Sequence, residues 1–326
     1  MIVLGIETTA HTFGVGIVQD KKVLANAMDA FKTKKEGMIP SHVAEHHVDV
    51  CDVVLQKALE QAKISIHEVD AIAFSQGPGI GHSLRIGTVM ARVLATQLNK
   101  PLVGVNHCIA HLEVGRLFFP VKDPVLLYAS GANTQIIAYE AGKYRVFGET
   151  LDMGVGNFLD SMGRKLGLGF PAGPAIEQKA LLGKKLVKLP YSVKGMDVSF
   201  GGLYTNLLHK IEEKKDSPED LCFSVQEYVF AMLVEVAERA MAHTGKTELL
   251  LGGGVGCNKR LQEMCQIMCQ ERGATFYVPE RPYLIDNGAM IAWTGLLMLQ
   301  AKNTILVEDS AIRPYERTDD VDVNWR

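Results

Sequence analysis

One plan occurs twice along this chain. Residues 2–9 and 13–18 read as a strand, a small-residue turn and a second strand, and residues 125–138 read the same way. Residues 71–79 read as a strand ending in a glycine turn, followed by a helix over 84–96. Residues 248–258, with a helix over 259–273, repeat that unit. Such a repeat restricts the chain to an α/β fold of two related halves. The separation of Gly77 from Gly253 exceeds that of Thr8 from Gly131 by about 53 residues. The second half therefore carries an insertion, expected at about 151–204, where glycine and proline concentrate. The expected organisation is a first lobe over 1–123 and a second over 124–326. A ligand cleft is expected between them, because pockets concentrate at such interfaces.

Further helices are expected over 41–63, over 221–244 with Gly245 ending it, and over 286–300 with Asp286 near its start. The tail from Lys302 shows no domain pattern. With 47% hydrophobic and 22% charged residues the chain can bury a large core. Its net charge of -3 gives no global attraction to nucleic acid. An RNA partner would need other subunits or a local basic stretch, such as Lys32, Lys34 and Lys35 or Lys184, Lys185 and Lys188. Residues 1–6 meet Glu7 too early for a secretion signal, and no apolar run reaches the roughly 18 residues that span a bilayer. Six scattered cysteines read as reduced thiols, so the expected location is the cytoplasm.

His107 and His111 open an expected helix after the apolar run 101–106. Residues four apart share one helix face, so both imidazoles can meet one metal ion. The glutamate of a zinc-protease H-E-x-x-H motif is missing, and two imidazoles do not fill a site. Asp286 and Tyr128 are the candidate oxygen ligands. Three turns at strand ends suit phosphate or close ligand approach: Thr8 and Thr9, Asn133 and Thr134 in the turn 130–134, and Gly253 and Gly254. Asp160 and Glu177, in the insertion, could bind ribose hydroxyls or position a substrate amine. His46 and His47 are adjacent, cannot face one site, and are expected to be surface or partner-facing. The residues alone leave open a metallopeptidase, a small-molecule kinase and a nucleotide-gated scaffold.

Residues 5–14, 107–111, 130–135, 252–258 and 286–288 together resemble the universal tRNA threonylcarbamoyladenosine biosynthesis transferase family. Residues 9–14 and 313–319 are similar to its archaeal and eukaryotic branch, a subunit of the KEOPS complex. The resemblance covers nearly the whole chain. It implies the duplicated actin-like (ribonuclease-H-like) ASKHA fold. It also implies transfer of a threonylcarbamoyl group from threonylcarbamoyl-AMP to N6 of the adenosine beside the anticodon, in tRNAs reading codons that begin with A. It implies a divalent metal, iron ahead of zinc, on His107, His111, Tyr128 and Asp286. Substrate contacts are implied at Tyr128, Ala129, Ser130, Gly131, Ala132, Asp160, Gly173, Glu177 and Asn258, with ATP or another adenine nucleotide able to occupy the cleft. The implied partners are tRNA, a small protein kinase (fused to this subunit in some archaea) and a small dimeric bridging subunit, with no membrane and no DNA. The chain ends near where a fused kinase would begin, which fits a standalone form or a shorter piece. Ala132 and Ala172 stand where the family usually has glycine. Alanine disfavours positive φ, which puts phosphate contact at Ala132 in question.

Overall fold

The computed structural model describes residues 1–33 and 38–326; Lys34 and Lys35 of the first basic stretch lie outside them. The first half runs β1 (Ile2–Glu7), β2 (Thr12–Gln19), β3 (Lys22–Ala30), α1 (Pro40–Ala62), β4 (Ala71–Gly77), α2 (Gly81–Leu98), β5 (Leu102–Asn106) and α3 (His107–Phe118). Its strands form one sheet in the order β3-β2-β1-β4-β5. The second half runs β6 (Val125–Ala129), β7 (Thr134–Glu140), β8 (Lys143–Glu149), α4 (Val155–Lys165), α5 (Gly173–Ala180), β9 (Val193–Lys194), β10 (Asp197–Val198), α6 (Gly201–Glu213), α7 (Pro218–Thr244), β11 (Glu248–Gly252), α8 (Lys259–Glu271), β12 (Thr275–Tyr277), α9 (Arg281–Leu284) and α10 (Gly288–Gln300). Its main sheet is ordered β12-β11-β6-β7-β8.

The two sheets are the same object built twice. In each, a three-strand antiparallel meander continues through two parallel strands, β1·β4·β5 in one and β6·β11·β12 in the other. The inner strands are apolar on both faces because both faces are covered. Leu4, Ile6, Ile17 and Phe74 pack with α1 and α2, and Val3, Ala73, Val103 and Val105 with α3 and α10. In the second sheet, Leu127, Ile136 and Leu251 pack into the large core with α4–α8.

The extra chain of the second half forms α4, α5, the β9–β10 pair and the start of α6. Its loop around Phe170 reaches the first lobe. Phe170 bridges to Thr33, its N–H donating to the Thr33 carbonyl at 3.2 Å, and its ring meets His11 edge-on at 5.7 Å.

Lobe membership does not follow a division at residue 123. α10 belongs to the second half, yet it lies on β1, β2 and β4 of the first sheet. The backbones nearly touch: a Cβ on Gly16 would stand 2.1 Å from Ala289 N, and one on Gly5 2.2 Å from Ala292 N. In exchange, α3 of the first half sends Cys108, Ile109 and Leu112 into the second sheet's inner face, beside Leu126, Tyr128 and Leu250. The tail also crosses. Ile305 bridges Leu102, Arg313 N donates to Gln76 O at 2.8 Å, and Asn106 Nδ2 donates to Glu316 at 2.9 Å. Farther on, Lys143 pairs with Asp322 at 2.8 Å, and Trp325 Nε1 donates to the buried Glu113 at 3.1 Å. What read as a patternless tail is a strap over both lobes. Among the described residues, no helix is long and apolar enough to cross a membrane.

Candidate metal centre and nucleotide cleft

Asn106 closes β5 and starts α3. Its side chain accepts the N–H groups of Cys108 at 3.1 Å and Ile109 at 3.2 Å, an N-cap that fixes where the helix begins. His107 and His111 therefore lie one turn apart at the seam between the lobes, both buried, ring centroids 4.8 Å apart. Tyr128 reaches them from the end of β6, its Oη 3.0 Å from His107 Nε2. Asp286 arrives from the connection before α10, its Oδ1 3.4 Å from His107 Nε2 and 3.3 Å from His111 Nε2. The donor atoms of His107, His111 and Asp286 lie within 4.8 Å of one another. Helix α3, the end of β6 and the connection before α10 thus deliver the four side chains singled out in the sequence.

Glu7, which the sequence reading passed over, is the fifth member. It is fully buried at the end of β1 and receives the Thr9 N–H at 2.7 Å, the Thr9 hydroxyl at 2.5 Å and His107 Nδ1 at 3.0 Å. A carboxylate on Nδ1 orients the ring and leaves Nε2 facing the other ligands, as behind metal-binding histidines generally. The signal was present: a glutamate ending an apolar strand has to find a partner when buried.

The electrostatics fit a cation. Burial alone would lower the pKa of His107, but the Glu7 and Asp286 carboxylates raise it to about 9. Without an ion the cluster thus draws positive charge onto itself. Burial pushes His111 below its ordinary value; its contact with Asp286 opposes this and the charge of His107 reinforces it. Burial would raise the Asp286 carboxyl, but His107 and His111 hold it well below the usual range. Burial pushes the Tyr128 phenol well up, so a phenolate there needs a nearby cation. His111 Nδ1 is buried without a hydrogen-bond partner among the described residues. Cys108, next to the cluster, is raised to about 12 by burial and stays a thiol rather than a nucleophile.

The turn after Tyr128 forms the neighbouring subsite. Ser130 N and Oγ donate to Asn133 O at 2.9 and 3.0 Å, closing the turn. The carbonyls of Ser130 and Gly131 accept the N–H groups of Gly156 and Asn157 at the start of α4. Thr134 Oγ1 accepts the Val155 N–H at 2.8 Å. Gly131 and Ala132 remain exposed, and among the described residues their own N–H groups have no protein partner. Ala132 is not in the positive-φ region, so alanine replaces glycine without strain and the amide stays available. Ala172 is also relaxed, with φ -86, and its N–H donates to Asp160 at 2.7 Å. Burial raises the pKa of Asp160.

Other expected contacts divide. Gly173 at the start of α5 and Gly254 face open space, whereas Gly253 has φ +87 and a Cβ there would strike Ala129 O at 2.4 Å. Glu177 spends one oxygen on Lys259 N at 2.8 Å. Asn258 is occupied at both ends: its Oδ1 caps α8 through Arg260 N at 2.9 Å, and its Nδ2 donates to Gln226 at 2.6 Å. The Thr8 and Thr9 amides, expected as phosphate donors, are spent on Ser75 Oγ and Glu7, so this turn orients Glu7 instead. His47 is also corrected. It is fully buried, its pKa lowered to about 4 by burial, and its Nε2 lies 3.0 Å from Ala10 O; only His46, paired with Asp29 at 3.1 Å, lies nearer the surface.

Solved structures with the same fold include component A of the (R)-2-hydroxyglutaryl-CoA dehydratase of Acidaminococcus fermentans, with TM-score 0.56 and 13% identity, covering 90% of this chain and 97% of that one. HypF of Thermococcus kodakarensis superposes with TM-score 0.65 at 15% identity, covering 92% of this chain and 48% of that one. These likenesses show the actin-like ASKHA fold. The tRNA N6-adenosine threonylcarbamoyltransferase of Thermococcus kodakarensis is 54% identical over 325 residues, all of both chains. A probable bifunctional tRNA threonylcarbamoyladenosine biosynthesis protein of Methanosarcina mazei is 52% identical over 99% of this chain and 59% of its own length. The profile of the TsaD family, tRNA N6-adenosine threonylcarbamoyltransferase, matches residues 22–293. With that match spanning most of the sequence and full-length relatives above half identity, the chain belongs to the tRNA N6-adenosine threonylcarbamoyltransferase family.

Proposed function

We propose that the seam between the lobes holds threonylcarbamoyl-AMP and delivers its carbamoyl group to N6 of the anticodon-adjacent adenosine of tRNAs reading codons that begin with A. The observation that carries this reading is the juxtaposition, along one strand end, of Tyr128 in a four-donor cluster and the free amides of Gly131 and Ala132. In this reading His107, His111, Tyr128 and Asp286 hold one divalent ion, iron ahead of zinc. When bound, that ion would act as a Lewis acid that stabilises charge developing on the carbamoyl oxygen. Gly131 and Ala132 receive the phosphate of the adenylate, and Asp160 and Glu177 orient its ribose and base beside Gly173. Glu7 keeps His107 in the tautomer that turns Nε2 toward the cluster. Cys108 stays protonated, so the amine attacks the activated carbonyl directly and no acyl-protein forms.

Binding of tRNA is shared with partner subunits, a small protein kinase and a dimeric bridging protein. A net charge of -3 and lysines already paired with acids, such as Lys185 with Asp216 at 2.7 Å, support that division of labour. Neither peptidase nor kinase chemistry gains support. Glu7 is committed to His107 and Thr9, and magnesium-dependent kinases favour oxygen ligands. The test is transfer from synthetic threonylcarbamoyl-AMP to tRNA with partner subunits present. Wild-type protein should form modified tRNA and His111→Ala should lose at least 100-fold in rate, on the order seen for removal of one electrostatic catalytic group. Wild-type rates in a folded His111→Ala protein would sink the metal-centred reading.

A further inference from the structure

Residues 313–317 of the strap cross the carboxyl ends of β4 and β5, the end of an α/β sheet at which ligands bind. Arg313 N–H donates to Gln76 O at 2.8 Å, Gly79 N–H donates to Pro314 O at 3.1 Å, and Asn106 Nδ2 donates to Glu316 at 2.9 Å. From there Arg317 reaches the second lobe, its guanidinium 3.5 Å from Glu149 at the end of β8. Asn106 is the residue directly before His107, so this crossing borders the cleft beside the cluster. Its backbone is braced. Glu316 N–H donates to Arg313 O at 3.1 Å and the Arg313 guanidinium to Glu316 Oε1 at 2.8 Å, which closes a tight turn. Pro314 fixes the first corner of that turn, and Tyr315 stands at the second.

Tyr315 is 94% exposed, and among the described residues its ring and hydroxyl have no partner. A lone exposed apolar side chain is ordinary on a surface. This one is raised from a braced turn at the cleft edge, between two arginines that are both about half-exposed. Arg313 is paired with Glu316, and Arg317 with Glu149 and with Asp319 at 3.1 Å. A guanidinium has five N–H donors, so each arginine keeps some of them for solvent or a ligand. An aromatic face between two outward guanidiniums suits single-stranded nucleic acid: the ring stacks on a base and the arginines meet the flanking phosphates. A protein partner fits less well, because interface centres are depleted in charge and the neighbours of Tyr315 are Arg313, Glu316 and Arg317.

An adenosine that brings its N6 into the cleft has to leave its own stack, and the next base of the loop then lacks a stacking partner. Resting on the transfer reading given above, we propose that Tyr315 supplies that partner. Its ring stacks on an anticodon-loop base beside the extruded adenosine, while Arg313 and Arg317 hold the adjoining phosphates. The turn is then the part of this chain that seats the RNA loop at the cleft, and the partner subunits hold the rest of the tRNA.

The experiment uses the protein assembled with its partner subunits and compares wild type, Tyr315→Ala and Tyr315→Phe, the last of which keeps the stacking face. Binding of an anticodon stem-loop RNA is read by fluorescence anisotropy, with 2-aminopurine beside the target adenosine reporting the stack. Transfer from threonylcarbamoyl-AMP gives kcat and KM for tRNA. Loss of one base–aromatic stack weakens RNA binding on the order of 10-fold. Tyr315→Ala should therefore raise Kd and KM for tRNA by about that factor, leave kcat near wild type and leave the 2-aminopurine unquenched. Tyr315→Phe should restore all three. Tm and assembly with the partner subunits should not change, because the ring touches nothing in the chain. A wild-type Kd in Tyr315→Ala overturns the proposal. So does loss of subunit assembly in that variant, which would make the turn a protein-docking site. If wild type binds the RNA but forms no modified tRNA, the transfer reading fails, and Kd and fluorescence still read the stack separately.

Discussion

Gly16→Ala tests whether the position of α10 sets the metal centre. A Cβ at residue 16 would stand 2.1 Å from Ala289 N and 2.2 Å from Gly288 C, both backbone, so no side chain can swing aside. Contacts of this kind do not occur below 3.0 Å, so helix and strand have to separate by about 0.9 Å. Overpacking of cores costs typically 1–3 kcal/mol, and backbone against backbone puts this case near about 3 kcal/mol. For a chain of 326 residues, with an unfolding entropy of about 2.1 cal/mol/K per residue, that corresponds to a loss of about 4 °C in Tm. The same displacement is transmitted to Asp286, two residues before α10 begins, while His107, His111 and Tyr128 stay with α3 and β6. Metal–ligand distances tolerate about 0.2 Å, so a shift of that size removes one ligand from its place. Affinity for the metal, measured by competition with a chromogenic chelator, should fall by about tenfold or more. Differential scanning fluorimetry reads the stability on the same samples. A variant with unchanged Tm and unchanged metal affinity would refute the argument that close packing of α10 on the first sheet positions Asp286.

Other outcomes follow from the same geometry. Gly202→Ala, on the exposed side of α6 with nothing within 4 Å of the new Cβ, should be neutral or stabilising by about 0.5 kcal/mol in urea unfolding; destabilisation would contradict the open space there. Glu7→Gln keeps a side chain of the same size but loses the carboxylate behind His107, and should weaken metal binding about 10–100-fold in the chelator titration while leaving the fold intact by circular dichroism. Asp152 takes N–H bonds from Met153, Phe200 and Gly201 and the Ser199 hydroxyl, and these outweigh burial to lower its pKa from 3.8 to about 2. Its contribution is therefore complete above about pH 4 and is lost as pH falls toward 2, so the stability gap between wild type and Asp152→Asn should close across that window. A gap that stays constant down to pH 2 would remove Asp152 as the tie between β8 and α6.

The repeat was legible because strand periodicity and glycine turns are local signals. The helix opens at His107, where it was expected, because Asn106 caps it directly before the two histidines. The cluster of His107, His111, Tyr128 and Asp286 was legible through the family resemblance and the chemistry of its donors. What escaped was nonlocal. Nothing within residues 286–300 tells that this helix crosses to the first sheet; only Gly5 and Gly16, small residues on strands that need a neighbour's backbone, hint at it. Asn258 and the Thr8–Thr9 amides looked free because their partners, Gln226, Ser75 and Glu7, are set by tertiary packing. His47 looked exposed because an adjacent histidine pair reads as polar. In the fold one ring turns inward to Phe13 and Ala10 and its neighbour turns outward to Asp29.

The exchange of α3 and α10 between the sheets also sets the order in which the molecule can be born. At about 5–20 residues per second, a ribosome needs roughly 10–40 s between finishing Phe118 and finishing Gln300. Through that interval the inner face of the first sheet, with Val3, Ala71, Ala73, Val103 and Val105, has no α10 to cover it. The nascent first half thus leaves an apolar sheet face only partly covered. Asp286 emerges only near the end of synthesis, so on the metal-centred reading an ion would meet its full set of ligands only when the chain is almost complete. On the metal-centred reading, a chain that stalls before α10 would lack both the Asp286 ligand and the cover of the first sheet.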